Sequence, residues 1–172
     1  MNAIATGVAA DGFRVLRFEF PYMAERRTSG KRRPPDRQQV LLDAWRSAFA
    51  EAGEGPTVVG GKSMGGRMAS MIADEVSAAG LVCLGYPFHA PGKPEAPRVQ
   101  HLEFLRTPAL FVQGTADPFG TRDDVAGYTL SPAITIEWVE GGNHDLVSKA
   151  LGRAASRQHV IASVSSFLAA RA

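Results

Sequence analysis

The chain has 172 residues, 45% apolar and 21% charged, with a single cysteine. That is one domain with a substantial core; it excludes a disordered chain, a collagen, a coiled coil, an internal disulfide and a Cys-rich zinc site. The net charge of +2 hides an asymmetry: Arg26, Arg27, Lys31, Arg32, Arg33 and Arg37 cluster around one acid, Asp36, and the rest of the chain is net negative. A general nucleic-acid-binding protein would carry a basic face over the whole domain, so that class is not expected. No apolar run approaches the roughly 20 residues of a membrane helix, and the N-terminus has no basic-then-apolar leader. With one cysteine, the expectation is a cytoplasmic protein that engages neither membrane nor nucleic acid.

Taken in order, residues 1–12 read as the end of a helix, with Ile4 and Val8 at helical spacing and Gly12 closing it. Residues 14–20 alternate as a strand, and 26–36 read as irregular. Asp36 suits an N-cap, with Gln39 at the capping-box position, for a helix carrying Val40, Leu41, Ala44, Trp45, Ala48 and Phe49. A short strand at 57–59 leads into a helix from 64, with Met68, Met71, Ile72 and Val76 on its apolar face. Strands follow at 80–85, 109–112 and 134–139, with a short helix near 121–127 and a final helix through Val160, Ile161, Val164, Phe167 and Leu168. Residues 86–100 are irregular. Strands alternating with helices, and apolar on both faces, predict an α/β fold: a mostly parallel sheet of about five strands covered on two sides, in one domain over 1–172.

The chemistry sits in Gly61-Lys62-Ser63-Met64-Gly65, a G-x-S-x-G between a strand and a helix. This context fits a nucleophile elbow, where a sharp turn lifts the serine hydroxyl clear of the sheet. Side chains two residues before and after are expected to collide, so both positions call for glycine. The Met64 N–H, at the helix start, can meet a developing oxyanion. A tight turn with a helix-capping serine is the plain alternative. A phosphate loop fails on register, because its first glycine would fall on Pro56.

A serine nucleophile needs a base, and the base needs an orienting carboxylate. Asp117 follows the strand at 109–112, and His144 follows the strand at 134–139. The order Ser–Asp–His suits an elbow of this kind, and ligand sites form at the C-terminal ends of parallel strands. Asp123 and Asp124 are the substitute acids, although they suit a first helical turn. His89 and His101 precede the acid, and His159 falls within a helix. Lys62 and Phe88 are further candidates for lining the substrate pocket.

The basic stretch has three readings. It is a solvated loop whose arginines pair with nearby acids, an anion-binding rim at the mouth of the site, or a partner patch. Its lack of interleaved aromatics speaks against base stacking.

With these residues in place, the sequence resembles the α/β-hydrolase superfamily. It is most similar to a small lidless group with dienelactone-hydrolase-like folds. The resemblance runs through Arg17–Met23, Lys31–Asp36, Gly60–Arg67, Gly85–Pro94, Gln113–Gly120 and Asn143–Leu146. It implies Ser63 as nucleophile, Asp117 as acid, His144 as base and Met64 as oxyanion donor, with no cofactor and no metal. The implied reaction is hydrolysis of a small-molecule acyl substrate, an ester or thioester.

One element of that pattern is absent: no His-Gly dipeptide occurs, whereas the family's H-G-x-G turn supplies a second oxyanion N–H. The expectation is a chain that begins inside the usual fold, lacking a strand between 14–20 and 57–59. Sheet edges left open there would favour homo-oligomers. They also keep a second function in view, a non-catalytic hydrolase-like scaffold, as the resemblance includes a subunit of a histone-acetyltransferase complex.

Overall fold

The computed structural model describes residues 1–171. Its elements are α1 (Asn2–Ala10), α2 (Pro21–Ser29), α3 (Gln38–Glu51), β1 (Val58–Lys62), α4 (Met64–Ile72), β2 (Gly80–Leu84), β3 (Ala109–Gly114), α5 (Arg122–Ala126), β4 (Ile134–Val139) and α6 (Gly152–Ala169). The four strands pair in parallel in the order β1-β2-β3-β4.

The two-residue period of the central strands sorts the core into two layers. Leu81, Cys83, Ala109 and Phe111 face α3 and α4, joining Leu41, Trp45, Met68 and Ile72. Val82, Leu84, Leu110 and Val112 face the other way, onto Val8 of α1 and Val160, Ile161 and Val164 of α6. β2 and β3 are buried along their whole length. Each fully buried Leu or Phe of this kind contributes about 1.5–3 kcal/mol. Cys83 lies beneath α4 with its thiol 3.5 Å from the Gly66 carbonyl, and complete burial pushes the thiol well above its ordinary titration range.

The N-terminal third departs from the sequence expectation in three places. Residues 14–20 form no regular element and pair with no described strand, so the sheet has four strands rather than about five. A cleft of about 1410 Å³ lies between this segment and β1, lined by Phe18, Phe20, Val59, Lys62 and Ser63 among others. Residues 21–29 form a helix that takes in the first part, 26–29, of the stretch expected to be irregular, with Pro21 at its first position and Gly30 closing it at φ 68°, both favourable end residues.

The third departure concerns Asp36. It accepts the Tyr22 N–H at 2.9 Å and so serves the first turn of α2. α3 starts only at Gln38 and has no side-chain cap, while Gln39 donates to Asp43. A carboxylate near an α2 N-terminus meets free N–H groups and the favourable end of the dipole.

Candidate active site

Three loops at the C-terminal ends of β1, β3 and β4 bring the predicted residues together. Ser63 joins β1 directly to α4 and holds φ 52° and ψ −120°, a backbone state that L-residues rarely adopt. Such a conformation costs about 1–3 kcal/mol and persists only where its surroundings enforce it.

The enforcement is visible in the glycines, but not as symmetrically as expected. A Cβ on Gly61 would lie 2.8 Å from the Gly65 carbonyl carbon, and one on Gly66 would lie 2.6 Å from the Gly61 carbonyl oxygen. A Cβ on Gly65 would meet nothing within 4 Å. The tight contact is therefore between Gly61 and the Gly65–Gly66 backbone, and a side chain at position 65 itself would meet open space.

His144 Nε2 stands 2.9 Å from Ser63 Oγ, and its Nδ1 stands 2.8 Å from Asp117 Oδ2. A carboxylate only accepts, so Nδ1 carries the proton and Nε2 is left to accept from the serine hydroxyl. Asp117 is fully buried. Its charge is balanced by the His144 Nδ1–H, by the Phe119 N–H at 2.9 Å and by the Gln113 amide at 3.0 Å.

Gln113, also fully buried, ties this carboxylate into the sheet. Its Oε1 accepts the Tyr86 N–H at 2.7 Å, and its amide also donates to the Gly120 carbonyl at 3.1 Å. Phe119 stacks against the His144 ring at 4.3 Å between centroids. Gly85, at φ +60°, lies under His144, where a Cβ would come 2.7 Å from the His144 carbonyl oxygen. Gln113, Phe119 and Gly85 were not singled out by sequence reasoning. Gln113 and Phe119 lie within Gln113–Gly120, but their roles become visible only through contacts.

The remaining predicted residues divide clearly. Met64, the first residue of α4, lines the cleft beside Ser63, and its N–H has no intrahelical partner. Lys62 also lines the cleft. Phe88 does not: it is fully buried, packed against Tyr86, Phe111 and Tyr128, and so is a core residue rather than a substrate contact. Asp124 closes a capping box with Thr121 at the start of α5, and Asp123 is exposed in the same turn. His101 bonds to Ser70 at 2.8 Å and His159 to Glu137 at 2.9 Å. His89 faces Asp124 across 3.3 Å. None of these three histidines bonds to Ser63; His144 does.

Among the basic residues, Arg27 pairs with Glu19, and Arg33 pairs with Glu25 and Asp36. Those two arginines follow the solvated-loop reading. Among the described residues no three His, Cys, Asp or Glu side chains converge as a metal site, and no helix is long and apolar enough to cross a membrane.

The fold is shared with solved structures. An esterase domain from Rhodothermus marinus superposes with a TM-score of 0.67 at 15% identity, covering 96% of this chain and 78% of that one. A serine hydrolase homologue from Coxiella burnetii gives 0.64 at 16% identity, covering 97% and 74%. A monoacylglycerol lipase from Paleococcus ferrophilus gives 0.63 at 14% identity, covering 80% and 77%. At these identities the likeness is one of fold. The model of the alpha/beta hydrolase domain matches residues 1–170, nearly the whole chain, and so the protein belongs to the alpha/beta hydrolase domain family.

Proposed function

We propose that this chain is a serine hydrolase of small ester or thioester substrates. The observation that carries the reading is the unbroken hydrogen-bonded row Asp117–His144–Ser63, ending on a serine in a strained turn. Ser63 Oγ attacks the acyl carbon while His144 Nε2 takes its proton and passes it to the leaving group. Asp117 holds Nδ1–H and stabilises the imidazolium that forms. The Met64 N–H, at the positive end of α4, binds the oxyanion of the tetrahedral intermediate. Water then attacks the acyl-enzyme with His144 again as base.

Support also comes from the esterase and lipase among the proteins that share the fold. The test is a fluorophosphonate probe followed by mapping of the adduct, alongside hydrolysis of p-nitrophenyl acetate and butyrate. Labelling at Ser63, lost in Ser63→Ala, is the expected result; a protein that is folded yet neither labels nor hydrolyses either ester overturns the reading.

A second reading, a non-catalytic scaffold, is favoured by one feature. The outer edge of β1 has no described strand beside it, and free edges recruit other strands. Size-exclusion chromatography with light scattering reads this directly, since pairing through that edge would give an oligomer.

A further inference from the structure

Lys62 and Asp145 form an ion pair, Nζ to Oδ1, at 3.4 Å. Lys62 immediately precedes Ser63 and Asp145 immediately follows His144, so the pair runs beside the Ser63–His144 hydrogen bond. The Lys62 side chain is 23% exposed. A Cβ built on Gly85 would stand 3.5 Å from Lys62 Nζ and 3.5 Å from His144 Nδ1. The ammonium and the nitrogen that bonds Asp117 are thus separated by at most twice that distance.

Charged groups near His144 come from Asp117 in the loop after β3, Lys62 at the end of β1 and Asp145 in the histidine's own loop, and Arg153 and Arg157 of α6 line the same cavity as Lys62 and Asp145. An exposed ion pair contributes little to stability by itself. A cation beside an imidazole has a second effect, because it opposes a second positive charge there.

We propose that Lys62 is a positioning residue for the base. Its ammonium, held by Asp145, is a fixed positive charge beside the Asp117–His144 bond that keeps Nε2 free of a proton and open to the Ser63 hydroxyl. The inference rests on reading Ser63 and His144 as nucleophile and base. Lys62 feels the same surroundings in return: burial lowers its titration below the ordinary lysine value, while Asp145 and Asp117 draw it back up.

The experiment is the pH profile of kcat/KM for p-nitrophenyl acetate in wild type, Lys62→Met, Lys62→Arg and Asp145→Asn. Lys62→Met is expected to move the acid limb up by about 0.5–1 pH unit, and Lys62→Arg to restore it. Asp145→Asn, which leaves the ammonium uncompensated, moves the limb the opposite way by less. Limbs that stay fixed while kcat falls equally in both charge-removing variants describe a mere structural tie and overturn the proposal. So do limbs that shift in the same direction.

A readout without turnover separates the two readings. The His144 Cε1–H proton is followed by NMR across pH in the same proteins, and assigned by its loss in His144→Gln. Absent hydrolysis and labelling overturn the hydrolase reading alone. A His144 titration unchanged by Lys62→Met overturns the role given to Lys62, whether or not the protein turns over.

Discussion

The two sides of the sheet are built differently. From β2 to β4 the strands pair in an unbroken run, and β2 and β3 have a strand on each side, both faces covered and every residue buried. From residue 13 to β1 the chain is irregular or helical, with Val15, Leu16, Phe18 and Met23 exposed and a wide cleft against the β1 edge. Ser63 stands on the boundary between the two. The histidine and aspartate hydrogen-bonded in a row to it come from the closed side, from loops after β4 and β3, while the open side supplies the far wall. Rigidity is therefore concentrated where hydrogen-bond geometry matters, and openness where a substrate would enter.

The sharpest way to break this division is to attack the closed side. Ser63→Ala is expected to lower kcat for p-nitrophenyl acetate by about 10⁶-fold, and Asp117→Asn, with its wrong tautomer, by about 10⁴-fold, with far-UV circular dichroism unchanged. Gly61→Ala is expected to destabilise by about 1–3 kcal/mol in urea, because its Cβ has no room at the Gly65–Gly66 backbone. Gly65→Ala should lie within about 0.5 kcal/mol of wild type, since its Cβ meets open space. Equal losses at positions 61 and 65 would contradict the asymmetric elbow.

Removing the support of Asp117 comes next. Gln113→Leu removes one of the two donors to Asp117 Oδ2 and leaves the Tyr86 N–H and the Gly120 carbonyl without that partner, with an expected cost of about 1–3 kcal/mol. On the open side, Arg27→Ala should change stability by less than about 1 kcal/mol, as its pair with Glu19 is exposed. Hydrogen exchange gives the comparison in one measurement: the amides of 14–19 should exchange fast and those of β2 and β3 slowly.

Acid pH provides a further contrast. Burial, then the neighbouring Arg67, pushes His101 down to about 4. An unfolded histidine titrates near 6.5, so between those values the unfolded chain binds the extra proton. Stability therefore falls as pH drops from about 6.5 towards about 4. Urea midpoints across that range should show the decline, and His101→Gln should flatten it.

That Ser63, Asp117 and His144 meet was legible because their signal is local: a glycine-spaced serine between strand and helix, then an acid and a histidine each just past an apolar run. The central strands were legible because apolar runs buried on both faces leave little else to form. Residues 14–20 misled because alternation describes a strand's side chains but not whether a backbone partner exists. Asp36 misled because a carboxylate can serve any helix start in reach, and it accepts the Tyr22 N–H of α2 while α3, beginning two residues on, has no side-chain cap. Phe88 misled because an aromatic beside a functional loop reads alike whether it faces a ligand or the core. Gln113 was silent because a buried amide declares itself only through its partners.

Cys83 turns the closed side into its own reporter. The one thiol in the chain sits at the middle of β2, fully buried under the helix that carries the serine, with burial holding it protonated. A thiol reagent can reach it only when β2 and α4 come apart, and then only as thiolate. Modification would therefore run at the rate or the population of that opening. The same molecule that could be titrated at Ser63 by an acylating probe thus carries a clock, read at a different atom by a different reagent, for how often the ground beneath that serine gives way.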